Sequence, residues 1–185
     1  TGFADWCTDV GDDGVRTIMP YFGSTSSANK LWAMAADGIY DVTSSAASPT
    51  VDTSFPVADA TSGYGQWVNY ATTGGHFGLY CDETNGYYVY TQASGTWAKV
   101  AMGGGATQVS GVDPATFVQP CVYKERVWFV QKDSAIAWYL GTGSIFGAAT
   151  SFNFGNKFPH GGVLQALFNW TVDGGEGVND YLVAV

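Results

Sequence analysis

Positive charge is scarce in this chain of 185 residues, which has five lysines and two arginines against sixteen acidic residues. The net charge is −9, and the basic residues are scattered along the sequence. Binding to a nucleic-acid backbone needs a concentrated basic patch that displaces counterions, so no specific nucleic-acid binding is expected. The acidity serves solubility in the simpler interpretation, and in the other it forms a wall that repels passing DNA.

Paired cysteines and long apolar runs are also missing. Cys7, Cys81 and Cys121 are odd in number, widely spaced and without a CxxC pair. This pattern predicts buried free thiols made in a reducing compartment, and it indicates neither a disulfide framework nor a thiolate zinc site. Apolar runs such as residues 127–130 are far too short to cross a bilayer, so no membrane partner is expected.

The sequence lacks the common catalytic motifs. No GxSxG elbow, GxxxxGK[ST] phosphate loop or strand-to-helix GxGxxG occurs, and the histidines His76 and His160 are isolated. Sialidases hold a substrate carboxylate with three arginines, whereas this chain has only Arg16 and Arg126. We therefore expect no catalysis and no cofactor. A glycan-degrading enzyme is the less favoured alternative, and it would need a paired-carboxylate cleft.

What the sequence has in abundance is glycine, at 25 residues, and aromatic side chains, at 16% of the chain. Glycine supplies the positive-φ turns that short strands need, and Trp, Tyr and Phe suit the half-buried face of a sheet. No stretch of useful length has the period of a helix. The composition therefore predicts an all-β fold.

A repeat of about 48 to 50 residues runs through the chain and is clearest in the third strand of each unit: Gly38–Val42, Gly86–Tyr90 and Ala135–Tyr139. Short aromatic strands at a period of 40 to 50 residues are typical of β-propeller blades. The sequence predicts about three and a half four-stranded antiparallel blades in one propeller-like domain. The predicted units cover about residues 17–58, 64–103, 116–160 and 163–185.

Within the second unit, Asn85-Gly86 lies between two aromatic strands. This dipeptide is a strong signal for a tight hairpin, and it predicts a positive φ at one or both residues.

Six tryptophans lie at predicted strand positions, where packed sheets favour large residues. We assign them to the structural core, with a sugar-stacking platform as the alternative; they are Trp32, Trp67, Trp97, Trp128, Trp138 and Trp170.

One loop is a weak candidate for a metal site. Asp173, Glu176 and Asp180 are separated by glycines that could wrap oxygen ligands around a hard cation such as calcium. The loop lacks the alternating D-x-[DN]-x-[DN]-G spacing, so a solvated acidic loop is the preferred interpretation and no metal is expected.

The segment Tyr123 to Leu140 resembles a stretch of the general form KNRLWFxxKxSxxAWYL, found in structural proteins of tailed bacteriophages. The similarity continues through residues 151–155, 158–162 and 169–180, and residues 15–21 and 38–43 look like the family's first unit. The resemblance thus spans nearly the whole chain. It transfers no catalytic residue, because the shared positions are apolar strand residues and turn glycines.

The resemblance implies a virion component of the tail or neck, similar to the propeller-bearing nozzle proteins of short-tailed phages. It implies other tail and neck proteins as partners, a homo-oligomeric ring around the DNA passage, and synthesis in the host cytoplasm. The alternative is a carbohydrate-binding receptor or tail-tip module. We also expect the chain to be part of a longer polypeptide, or to be completed by a second segment or protomer, because a sheet left at Val185 would expose an unpaired edge.

Overall fold

The computed structural model of the protein describes residues 4–56, 62–173 and 178–185. These residues form sixteen strands and no α-helix, so the prediction of an all-β fold is confirmed. Most strands belong to three four-stranded antiparallel sheets that follow one another along the chain.

Each of these three sheets runs in simple order, with neighbouring strands paired antiparallel. The first sheet contains β1 (Thr17–Tyr21), β2 (Lys30–Ala35), β3 (Gly38–Asp41) and β4 (Thr50–Val51). The second contains β5 (Gly65–Thr72), β6 (Gly75–Asp82), β7 (Gly86–Thr91) and β8 (Thr96–Lys99). The third contains β10 (Phe117–Tyr123), β11 (Arg126–Gln131), β12 (Ile136–Tyr139) and β14 (Thr150–Asn153).

Four further strands complete the described structure. β9 (Val109–Ser110) and β13 (Gly147–Ala148) form a short parallel pair. β15 (Leu167–Asp173) and β16 (Val178–Ala184) pair antiparallel as a two-stranded fourth sheet. The strands of the four successive sheets fall inside the four predicted units. Residues 57, 58 and 174–177 of those units lie outside the described residues.

The predicted Asn85-Gly86 hairpin is present between β6 and β7. Gly86 has a φ of +85°, and the Asp82 carboxylate accepts hydrogen bonds from the backbone N–H groups of Thr84 and Asn85, both at 2.8 Å. A Cβ on Gly86 would overlap the backbone of Pro114 and Ala115. Glycine is therefore required here both by the turn and by close packing against the 3₁₀ turn Pro114–Thr116.

The first strand of each sheet contacts the first strand of the next, so that β1 lies against β5, β5 against β10, and β10 against β15. One face of each sheet therefore packs on the sheet that follows it in sequence. The fold is a row of face-to-face sheets joined by their first strands. Whether this row closes as a propeller stays a prediction.

Three apolar clusters fill the spaces between successive sheets. The cluster between the first and second sheets is mostly aromatic and includes Tyr21, Trp32, Tyr90 and Trp97. The cluster between the second and third sheets is centred on Phe129, which stacks on Phe117 at 4.3 Å between ring centroids. The cluster between the third and fourth sheets is smaller and contains Cys121 and Leu167.

The structure separates the six tryptophans that were assigned to the core. Trp32 and Trp97 are each 3% exposed and belong to the first cluster. Trp67, Trp128 and Trp138 are half-buried and pack at the edges of the three clusters.

The assignment of Trp170 to the core is wrong, because its side chain is 61% exposed. Trp170 lies on the outer face of the fourth sheet, and no further sheet of the described chain packs there. The strand was predicted correctly, but a strand pattern does not tell which face has a neighbour.

Two asparagines link neighbouring sheets through their side chains. Asn69 on β5 donates from Nδ2 to the carbonyl of Pro20, at 2.7 Å, and accepts from the N–H of Phe22, at 3.0 Å. Asn169 on β15 donates from Nδ2 to the carbonyl of Val122 in the third sheet. Each side chain hydrogen-bonds to backbone groups in, or directly after, the first strand of the preceding sheet. We call these links asparagine clamps.

Candidate functional site

The candidate metal loop lies almost entirely outside the described residues. Residues 174–177 and the side chain of Asp173 are not described, so nothing follows for Glu176. Asp180 is exposed, and its carboxylate accepts a hydrogen bond from the Thr171 hydroxyl at 2.7 Å. Among the described residues, no group of three or more His, Cys, Asp or Glu side chains is placed to hold a metal ion.

The buried cysteines are poorly suited to act as nucleophiles. Cys81 and Cys121 are buried free thiols, as predicted, whereas Cys7 is only half-buried. Burial raises the pKa of the Cys81 thiol well above its ordinary value and that of Cys121 to about 11. A nucleophilic cysteine needs a lowered pKa and access to solvent, and neither thiol has them.

Asp82 is the buried carboxylate of the described core. Burial raises its pKa, although the hydrogen bonds from Thr84 and Asn85 oppose the shift. Its Oδ1 atom is committed to the β6–β7 turn. This carboxylate therefore shapes the β6–β7 hairpin and, at 0% exposure, has no access to solvent.

One cleft of about 350 Å³ has a lining made only of aromatic and cationic side chains. They lie on the face of the third sheet that is turned toward the fourth sheet. We call this site the aromatic cleft; it is lined by Tyr123, Lys124, Arg126, Trp128, Tyr139 and Phe152.

Strand register brings these rings together. Trp128 and Tyr139 are directly opposite each other on β11 and β12, with ring centroids 4.6 Å apart. Phe152 meets the Trp128 ring edge to face, at 6.2 Å and 72°. Side chains that are opposite or two positions apart share a face of a sheet, so the alternation of these strands produces one aromatic surface.

A tight turn places the two cations beside the rings. Lys124 and Glu125 connect β10 to β11, and both have positive φ, at 46° and 58°. Such values suit a two-residue hairpin loop, but they are strained for residues other than glycine, asparagine and aspartate. The turn places the Lys124 ammonium 5.3 Å from the centre of the Tyr123 ring, and the Arg126 guanidinium lies 5.3 Å from that of Tyr139.

The two cations have no carboxylate partner among the described residues. Within the described ranges, the ion pairs are Arg16 with Asp13 and Lys30 with Asp41. Two of the seven basic residues of an acidic chain thus lie in one cleft, and no described acidic side chain neutralises them. Adjacent rings beside cations that have no described carboxylate partner form a surface suited to a ring-bearing anion.

The first sheet shows how an equivalent tryptophan is covered. Trp32 on β2 is enclosed by Tyr90 and Trp97 of the second sheet, with ring centroids 5.4 and 6.0 Å away. Trp128 occupies the same position on β11, but the fourth sheet has only two described strands. The aromatic cleft is open because no third or fourth strand of that sheet covers it in the described structure.

A larger cleft of about 570 Å³ lies between the second sheet and the loops that precede β9 and β13. Hydroxyl, glycine and apolar side chains line it, with Lys99 as the charged group. It therefore offers no acid and base pair for catalysis.

The aromatic cleft was not predicted from the sequence. A signal was present, because Lys124 and Arg126 flank a single residue between the aromatic residues Tyr123 and Trp128. Cross-strand register was needed to add Tyr139 and Phe152.

No protein-family model, curated protein or solved structure matches this chain significantly. The described residues contain no helix that is long and apolar enough to span a bilayer.

Proposed function

We propose that the protein is a non-catalytic structural component of a tailed-phage virion, built as a propeller-like module in the ring of the tail or neck. The observation that carries this proposal is the row of sheets, in which the first strand of each sheet packs on that of the next. Blades arranged about a central axis require this succession, because their first strands lie nearest to the axis. The sequence resemblance from Tyr123 to Asp180 supplies the virion context.

The contacts between successive sheets, which we call joints, suit a protein that must resist mechanical force. Besides the apolar clusters, a side chain hydrogen-bonds to the backbone across each joint. The Asn69 clamp joins the first and second sheets, and the Tyr70 hydroxyl donates to the Glu125 carbonyl, at 2.6 Å, between the second and third. Gln119 bonds to Leu167 between the third and fourth. Gln119 accepts from the Leu167 N–H at 2.8 Å and donates to its carbonyl at 3.0 Å. These bonds fix the orientation of each sheet on the next, which a structural ring needs and an adaptable surface does not.

Charge supports a place along the DNA path without DNA binding. The chain has a net charge of −9, so a ring of several copies surrounds its lumen with negative potential that lets DNA slide without adhering. In this proposal the partners are other tail and neck proteins, the copies are related by ring symmetry, and the protein is made in the host cytoplasm.

The test combines particle composition with imaging. Mass spectrometry of purified virions should detect the chain, and electron cryomicroscopy should place several symmetric copies of the row of sheets beside the DNA channel. Fluorescence anisotropy with a labelled duplex should show little binding even at low ionic strength. Absence from purified particles, or tight salt-sensitive DNA binding, refutes the proposal.

The aromatic cleft favours a second candidate function, the binding of an acidic saccharide. A sugar ring could stack on Tyr139 and Phe152 while its carboxylate meets Arg126 and Lys124. A glycan array would show selective binding of uronic- or sialic-acid sugars. Arg126→Gln and Phe152→Ala should abolish that binding, whereas Phe168→Ala, a similarly exposed site outside the cleft, should preserve it.

A further inference from the structure

The outer face of the fourth sheet carries an apolar surface with no neighbour in the described structure. Phe168, Trp170 and Val172 alternate along β15 and are 44%, 61% and 39% exposed. Tyr181, 53% exposed, is directly opposite Trp170 on β16. We call these four residues the end face. Exposed rings in such a group are typical of an interaction surface.

The same positions in the second sheet show what covers such a face. Val68 and Tyr70 on β5 lie 100 residues before Phe168 and Trp170, and they pack in the cluster between the second and third sheets. Trp67 and Asn69 on β5 face back toward the first sheet, and Asn169 on β15 likewise faces back toward the third. β15 therefore repeats both faces of β5. Its forward face, the one turned away from the preceding sheet, has no neighbour in the described structure.

The first sheet has the complementary surface. Ile18 and Phe22 flank Pro20 on β1 and are 54% and 62% exposed. Trp6, 58% exposed, lies in the same shallow cleft of about 340 Å³ as Ile18. We call Trp6, Ile18, Pro20 and Phe22 the start face. It is the backward face of a sheet that has no preceding sheet in the described structure.

We propose that the end face of one copy packs on the start face of a second copy, head to tail. Each joint within the chain places the forward face of one sheet on the backward face of the next. The two faces without a neighbour in the described structure are the forward face of the fourth sheet and the backward face of the first. The β1–β5 and β10–β15 joints supply the geometry for the contact between copies. A head-to-tail contact uses two different surfaces and forms a ring if the rotation closes.

This inference does not depend on the virion role, because it concerns only the two faces of the isolated chain. Two other arrangements compete with it. Two end faces could pair with each other, or further polypeptide of a longer chain could cover both faces. The experiment separates all three.

Two blocked variants test the proposal in the full chain. The end-blocked variant carries Trp170→Glu and Tyr181→Glu, and the start-blocked variant carries Ile18→Glu and Phe22→Glu. Light scattering after size exclusion should show multimers of the unaltered chain that grow with concentration. Each blocked variant should be monomeric at 19.6 kDa, because it keeps only one of the two intact faces that the contact needs.

Mixing the two blocked variants gives the decisive measurement. One intact start face and one intact end face then remain, so the mixture should form a species of twice the monomer mass and no larger. Because each copy carries a net charge of −9, added salt should strengthen the association.

Controls keep the result interpretable. Met102→Glu changes an exposed apolar side chain, 59% exposed, away from both faces and should leave the multimers intact. Circular dichroism checks folding, and Trp170→Thr with Tyr181→Thr provides a second end-blocked variant that preserves strand propensity. A dimeric start-blocked variant would establish pairing between end faces. A monomeric unaltered chain at high concentration and high salt, or a mixture that stays monomeric, would overturn the proposal.

Discussion

Replacing Trp97 with alanine should destabilise the protein more than any change at its exposed tryptophans. Trp97 is 3% exposed, and its ring centroid lies 5.5 to 6.4 Å from those of five other aromatic side chains. These neighbours are Trp32, Phe55, Trp67, Tyr80 and Tyr90. Truncating a buried tryptophan to alanine costs about 3–5 kcal/mol through lost contacts and the remaining cavity.

This loss is large enough to measure directly. For a chain of this size, each kcal/mol lowers the melting temperature by about 2–4 °C, so Trp97→Ala should melt about 6–20 °C below the unaltered protein. Urea unfolding followed by circular dichroism should give a lower midpoint with an unchanged slope, because the surface exposed on unfolding is nearly the same.

Two companion variants distinguish packing from a general sensitivity to substitution. The Nε1–H of Trp97 is buried without an acceptor among the described residues, and an unpaired buried donor costs about 1–3 kcal/mol. Trp97→Phe removes that cost along with part of the ring, so it should lose less than about 2 kcal/mol. Trp170→Ala, at an exposed site, should change the stability of the monomer by less than about 0.5 kcal/mol.

The result that would refute this reasoning is a small effect at Trp97. A loss below about 1 kcal/mol, or a loss equal to that of Trp170→Ala, would mean that the aromatic cluster does not hold the first and second sheets together.

Three further predictions concern turns and buried polar groups. Gly86→Ala should cost about 2–5 kcal/mol from strain and overlap, whereas Gly95→Ala, with a φ of +65° but open space around it, should cost only about 1–2 kcal/mol; equal melting temperatures would contradict the packing against the 3₁₀ turn. Because burial raises the pKa of Asp82 above 3.8, folding favours its protonated form, and this contribution is present at low pH and lost as pH rises through the folded-state pKa. Asp82→Asn should therefore gain stability relative to the unaltered protein as pH rises through that window, and a parallel pair of stability curves would argue against it. Tyr70→Phe should lose about 1 kcal/mol in urea unfolding, because it removes the hydrogen bond to Glu125, and no loss would mean that water replaces the bond.

The strands were predictable because their signals are local. Glycines, Asn85-Gly86 and alternating aromatics determine where β6, β7 and β11 begin and end, and the repeat supports each assignment in another unit. The short pair β9 and β13 was not predicted, because two residues carry no periodic pattern and the pairing joins distant segments.

Burial was less predictable than strand position. Trp32 and Trp128 are equivalent in sequence, yet one is enclosed and the other lines a cleft. The difference comes from the neighbouring sheet, which supplies Tyr90 and Trp97 in one case and has only two described strands in the other. The same non-local cause explains why Trp170 was wrongly assigned to the core.

The asparagine clamps mark a longer period within the repeat. Asn69 and Asn169 are 100 residues apart, as are Pro20 and Pro120 at the matching positions of the alternate first strands. The two clamps differ in their acceptors, because Asn69 donates to the carbonyl of Pro20 itself, whereas Asn169 donates to the carbonyl of Val122, two residues beyond Pro120. At the equivalent position of the third sheet, Gln119 bonds forward to Leu167. Among the described residues, the clamped contacts therefore join the sheets in pairs, the first with the second and the third with the fourth.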